Sequence, residues 1–221
     1  MSTSAIRHVV WDWNGTLLDD AQACVDALNL MLARRNLPTV TREQYREVFG
    51  FPIRDYYLKV GFDFVRDDWN AMTEEYHVIY AGLSRTSQLR PHARRILDGL
   101  RERGCGLSVL SACEDAMLKR MIDERGILDC FTHVYGRSDF QAHSKVDLGR
   151  TLLGDAGIAP DTALLIGDTT HDFEVAQALG ARCLLMTGGH QSEARLRACG
   201  CPVVHTLKEV VAWVEGDGAF A

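Results

Sequence analysis

Three short apolar runs in this 221-residue chain each end in polar residues that could do chemistry together. Ile6–Trp11 is followed by Asp12, Asn14, Gly15 and Thr16. Gly106–Leu110 is followed by Ser111, and Thr162–Ile166 by Gly167, Asp168 and Asp172. Lys145, one of only four lysines, opens the segment before the third run. Carboxylates gathered in one place repel unless a cation lies between them. Oxygen donors around a hard divalent ion point to Mg²⁺, which takes one or two carboxylates and completes its shell with water and substrate phosphate. A hydroxyl, an amine and loop amides would hold the other phosphate oxygens. A carboxylate can itself attack phosphorus and become an aspartyl-phosphate.

These residues can meet only if the runs are strands of one parallel sheet, where ligands bind outside the carboxyl ends. The intervening segments fit that requirement. Helical spacing over Asp20–Asn36 puts Cys24, Leu28, Met31 and Leu32 on one face. Thr41 and Gln44 form a capping-box signature, and Arg54–Lys59 and Asp68–Leu83 are also predicted helices. No strand is predicted between 20 and 88. Beyond Pro91 the reading alternates. Helices are expected over Pro91–Arg103, Glu114–Glu124, Ser144–Asp155, His171–Leu179 and Ser192–Ala198, and after Thr206. Strands are expected at Gly106–Leu110, His133–Tyr135, Thr162–Ile166, Arg182–Met186 and Pro202–Val204. Alternation implies a parallel sheet covered on both faces. An all-helical stretch of about 70 residues after the first strand is too long for a loop. The expected architecture is α/β, a Rossmann-like core of residues 1–19 and 89–221 with an inserted helical cap domain, 20–88.

Composition narrows the function classes. The net charge of −6 argues against a nucleic-acid binder, which needs a basic face. No apolar run is long enough for a membrane span, and the N-terminus has no secretory pattern. Seven scattered cysteines without a Cys-x2-Cys pair predict free thiols in a reducing, cytoplasmic setting rather than a zinc site. The expected partner is a small phosphorylated substrate, acted on by a monomer or homodimer.

In order and placement, the motifs Asp12-Trp13-Asn14-Gly15-Thr16, Ser111, Lys145 and Gly167-Asp168-Thr169-Thr170-His171-Asp172 resemble those of the haloacid dehalogenase-like superfamily. With its helical insert between the first and second motifs, the chain looks most like the phosphoglycolate phosphatase-like branch. The resemblance implies a Mg²⁺-dependent phosphatase of a small phosphate monoester. Asp12 would be nucleophile and metal ligand, with the Asn14 carbonyl, Asp168 and Asp172 also around the metal. Ser111 and Lys145 would serve catalysis by holding phosphoryl oxygens, and Gly15, Thr16 and Ala112 would contact substrate. Phe49–Arg54 resembles a specificity loop, with Arg54 placed to hold an acidic substrate group.

Two positions depart from the family pattern. Lys145-Val146 replaces Lys-Pro, and Asn14 replaces the Asp that serves as general acid and base. An amide hydrogen-bonds but cannot shuttle a proton, and losing such a group costs about 10²–10⁴-fold. His171, His190, Tyr56 and Tyr57 are candidate substitutes, and a good leaving group would need none. Trp13-Asn14 also suggests a phosphonoacetaldehyde hydrolase-like enzyme, which would need a cap lysine. The cap holds only Lys59, and Ile53 stands at the expected lysine position. A weakly active or non-catalytic binding protein is the third reading.

Overall fold

The computed structural model describes residues 5–137 and 144–215. The stretches 1–4, 138–143 and 216–221 of the expected core lie outside the described residues. Strand β1 (His8–Trp11) is followed by a two-residue strand, β2 (Leu18–Asp19), and four helices: α1 (Ala21–Arg34), α2 (Arg42–Val48), α3 (Ile53–Lys59) and α4 (Trp69–Leu83). The chain returns through β3 (Gln88–Leu89), which pairs antiparallel with β2. It then alternates through α5 (Ala93–Glu102), β4 (Gly106–Glu114), α6 (Asp115–Asp123), β5 (His133–Arg137), α7 (Lys145–Asp155) and β6 (Ala163–Gly167). The last elements are α8 (Thr170–Leu179), β7 (Arg182–Met186), α9 (Glu193–Arg197), β8 (Val203–Val204) and α10 (Leu207–Glu215).

The main sheet is parallel throughout, in the order β5-β4-β1-β6-β7-β8. Chain order reverses on either side of β1, and such a switch point opens a crevice at the carboxyl edge. In register, Trp11 pairs with Val109 and Ile166, so Asp12, Ser111 and Asp168 all emerge at that edge. The strands are apolar without alternation because both faces are covered. Val9 and Trp11 pack on the side of α5, α6, α10 and the insert, and Val10 packs on the side of α7, α8 and α9. The insert's apolar residues, including Leu28, Met31 and Tyr45, join the cluster that holds Trp11 and Trp13.

Most of the expected elements are present. The β2–β3 pair, absent from the sequence reading, ties together the two chain crossings at the base of the insert. Strand β4 runs four residues past Leu110, with a register irregularity between Leu110 and Glu114. The Thr41–Gln44 capping box, the Ser144 cap on Asp147 N–H and the left-handed Gly180 after α8 are all formed. Among the described residues, no helix is long and apolar enough to cross a membrane.

Strand β1 begins with a buried histidine. His8 Nε2 lies 2.8 Å from Ser108 Oγ. Burial, with help from His133, lowers its pKa to about 4. The unfolded chain takes up this proton near pH 6.5, and the folded protein does so only near 4. The His8 contribution to stability should therefore be complete above about pH 6.5 and fall as pH drops toward 4, with a slope approaching 1.4 kcal/mol per unit at most. Urea titrations from pH 7 to 5 check this. His8→Asn should flatten the slope, and an equal slope in both proteins would contradict the assignment.

Candidate active site

The carboxyl edge of the sheet gathers three carboxylates and one ammonium out of solvent. Asp12 and Lys145 are each 7% exposed, and Asp168 and Asp172 each 1%. Lys145 Nζ donates to Asp12 Oδ1 at 2.5 Å and to Asp172 Oδ1 at 2.6 Å. Helix α7 delivers the lysine from its first residue, where the Ser144 cap sets the chain's entry. Helix α8 delivers Asp172 from a capping box in which Thr169 N–H and Oγ1–H both donate to Asp172 Oδ2. Asp168, just beyond β6, accepts from Thr16 Oγ1–H at 3.1 Å and from His190 N–H at 2.6 Å.

Two glycines make this packing possible. Gly15 has φ +74°, and a Cβ there would lie 2.3 Å from Asp168 Oδ2. A Cβ on Gly189 would lie 2.1 Å from the same oxygen. The Asp168 carboxylate thus sits between two backbone loops that only glycine lets approach.

Burial dominates the electrostatics. It raises the Asp12 pKa to about 7, Asp172 and Asp168 add to the rise, and Lys145 opposes it. Burial, aided by Asp172, also raises Asp168. Burial would raise Asp172 as well, but Lys145 and Thr169 outweigh it and hold that carboxyl below its usual range. The two carboxylates on Lys145 diverge because only Asp172 has the extra Thr169 donors. Lys145 is held as an ammonium, since the two carboxylates outweigh its own desolvation. One ammonium facing three carboxylates leaves negative charge in excess. The three offer oxygens within 4.8 Å of one another. That donor set suits a hard divalent cation. Among the described residues, Asp12 Oδ2 is the carboxylate oxygen of the cluster with no hydrogen-bond donor on it, while both oxygens of Asp168 and of Asp172 already accept hydrogen bonds and offer a cation their remaining lone pairs.

The haloacid dehalogenase-like hydrolase family pattern matches residues 9–186. This chain belongs to that family. A phosphoglycolate phosphatase of Yersinia pseudotuberculosis is 26% identical over 193 residues, covering 84% of this chain and 83% of the relative. A 5'-nucleotidase of Pseudomonas aeruginosa is 27% identical over 209 residues, covering 90% and 91%. A haloacid dehalogenase-like family protein of Streptococcus pneumoniae shares the fold, with a TM-score of 0.82 at 23% identity over 94% of this chain and 98% of that one.

Within this hydrolase the expected residues divide. Asp12, Thr16, Lys145, Asp168 and Asp172 form one cluster, and Ser111 and Ala112 lie on β4 at the same edge. Ser111 is buried, and its Oγ accepts from Cys113 N–H at 3.1 Å. Asn14 Nδ2 donates to Asp20 and Tyr80. Arg54 is not brought to the cluster: it is exposed on α3, its guanidinium 4.7 Å over the Phe64 ring. A cation over an aromatic face needs no substrate to hold it. Lys59, also on α3, is exposed. Tyr57 packs against Phe62 and Trp69, and Tyr56 against Tyr45 and Phe49. His171 lies against Phe51 at the edge, with Nδ1 3.3 Å from Glu174.

Several contributors escaped the sequence reading. Asp20 is fully buried and accepts from Gly15 N–H at 2.7 Å. Arg90 Nη2 donates to the Gly15 carbonyl at 2.5 Å. Arg46 donates to the carbonyls of Gly188 and Gly189, and Tyr45 OH bonds His190 Nδ1 at 2.9 Å. The only sequence signal was the Thr187-Gly188-Gly189-His190 turn past a strand end.

Lys145→Met should expose the cost of the unpaired carboxylates. We expect a loss of about 3–5 kcal/mol at pH 7, smaller at pH 5, where the variant's buried Asp12 and Asp172, no longer held down by the ammonium, can take up protons. Urea midpoints at the two pH values check this. A variant as stable as wild type at pH 7 would contradict the electrostatic account.

Proposed function

We propose that this chain is a Mg²⁺-dependent phosphatase of a small phosphate monoester, acting through an aspartyl-phosphate on Asp12. The observation that carries the reading is the buried Lys145 bridge between Asp12 and Asp172, with Asp168 in the same cluster. A carboxylate nucleophile near a phosphate dianion needs positive charge close by, and positioning with charge neutralisation is most of phosphoryl-transfer catalysis. Asp12 and Asp168, with the Asn14 carbonyl, would hold Mg²⁺, which neutralises the charge developing on the phosphoryl oxygens.

An Asp12 carboxylate oxygen attacks phosphorus, and the bond to the leaving oxygen breaks with its electron pair. Lys145 and Ser111 hold phosphoryl oxygens, and Gly15, Thr16 and Ala112 line the same loops. Water then attacks phosphorus, and the Asp12 carboxylate is released. We read residues 20–88 as a cap over a core of 1–19 and 89–221, excluding bulk water during the phospho-enzyme stage. Tyr80 and Tyr45 carry that cap's contacts to Asn14 and His190.

Phosphate release with Mg²⁺ over sugar, glycolate, nucleotide, aryl and acyl phosphates tests this. We expect turnover of at least one substrate, loss of it with a chelator, return of it with Mg²⁺, and none above background in Asp12→Asn. An Asp12→Asn protein that still turns over would overturn the reading.

A further inference from the structure

Asp20 caps the start of α1 in sequence, yet its side chain makes no capping bond. It turns back toward the first loop and is fully buried. Its Oδ1 accepts from Gly15 N–H at 2.7 Å, with His190 Nε2 3.6 Å away. Its Oδ2 accepts from Tyr80 O–H at 2.6 Å and from Asn14 Nδ2–H at 2.7 Å, with the Cys24 thiol at 3.8 Å. Tyr80 has spent its only proton on Asp20, so its oxygen accepts the second Asn14 hydrogen, at 2.7 Å. Both N–H groups of Asn14 are therefore used. The opposite amide orientation would put Oδ1 2.7 Å from a carboxylate oxygen, acceptor against acceptor. The nitrogen must face Asp20, and Oδ1 is the free end.

We propose that Asp20 and Tyr80 are positioning residues that lock Asn14 as a hydrogen-bond acceptor, and that the substrate is an acyl phosphate, whose leaving group departs without a proton. This rests on the phosphatase reading above. The other donors beside Asp12 are engaged within the site or serve the phosphoryl oxygens, as the third proton of Lys145 and Ser111 O–H do in the phosphatase reading. Thr16 O–H donates to Asp168, and Lys145 donates to Asp12 and Asp172. The nitrogens of His190 face Tyr45 and Asp20. An alkyl phosphate leaves as an alkoxide and needs a proton in the transition state. An acyl phosphate leaves as a carboxylate, the anion of an acid of pKa about 4.

In the first step an Asp12 oxygen bonds phosphorus, and the bond from phosphorus to the acyl oxygen breaks, its electron pair leaving on the carboxylate. In the second, Asn14 Oδ1 accepts a hydrogen bond from the attacking water. The water oxygen bonds phosphorus, the bond to Asp12 breaks with its pair returning to the carboxylate, and the water's second proton moves to a phosphoryl oxygen. Acyl phosphate and water give carboxylate and dihydrogen phosphate.

The test is kcat and KM with Mg²⁺ for acetyl phosphate, 4-nitrophenyl phosphate and glycerol phosphate, in wild type, Asn14→Asp, Tyr80→Phe and Asp20→Asn. Wild type should favour acetyl over glycerol phosphate by about 10²–10⁴-fold, and Asn14→Asp should shrink that ratio by raising glycerol phosphate turnover. Tyr80→Phe should lower kcat for acetyl phosphate about tenfold with KM within about twofold, as loss of one aligning hydrogen bond predicts. Tyr80→Phe keeps this arm readable if Asp20→Asn fails to fold. Equal turnover of the two substrates by wild type, or a ratio unmoved in Asn14→Asp, would overturn the proposal while leaving the phosphatase reading standing. An unaltered kcat in Tyr80→Phe would remove the positioning role. No release from any substrate by any of the proteins would overturn both.

Discussion

The structure depends on one buried ammonium. Lys145 holds Asp12 and Asp172 together at the carboxyl edge of the sheet, and neither carboxylate could be so buried beside the other without it. The lysine sits at the first position of α7, the positive end of a helix dipole, where a cation is disfavoured. Asp172 sits in the first turn of α8, where an anion is favoured. The lysine's position is paid for by the charges it meets, which ties α7 and α8 to β1. Asp168 completes the cluster beside His190, whose imidazole, against the cost of burial, it helps raise to a pKa of about 9.

Around that cluster the backbone is brought unusually close. Gly15 and Gly189 let two loops pinch the Asp168 carboxylate. Arginines then hold those loops by their carbonyls: Arg90 on Gly15, and Arg42 and Arg46 on Gly188. Arg42, Arg46, Tyr45 and Tyr80 all belong to the helical insert. The insert is thus fastened to the loops around Asp12 and Asp168 by polar bonds as well as by the apolar cluster it shares with Trp11 and Trp13. Movement of the insert would disturb Asn14 and the loop that supports Asp168 together.

The core strands and the principal site residues were legible because their signals are local. An apolar run ending in Asp, a capping box, or a glycine after a helix is written in consecutive residues. Asp12, Asp168, Asp172 and Lys145 could be read that way. Asp20 could not, since a carboxylate at a helix start reads as a cap, and only tertiary contact shows it facing Asn14. Tyr80 has the spacing of a helix core residue, and its hydroxyl partners lie 60 and 66 residues away. The β2–β3 pair is too short for any periodicity. Arg54 was placed by the resemblance of Phe49–Arg54 to a specificity loop, and only the tertiary structure shows its guanidinium over the Phe64 ring.

The account's central claim is that Asp12, held by Lys145, is the atom donor that attacks phosphorus. The most direct measurement is rapid acid quench of the enzyme turning over a ³²P-labelled substrate, followed by peptide mapping of the label. The account predicts an acid-stable, base-labile phosphate on the peptide that carries Asp12. Label on a different residue, or turnover with no labelled enzyme under conditions where hydrolysis of the phospho-enzyme is the slow step, would contradict it.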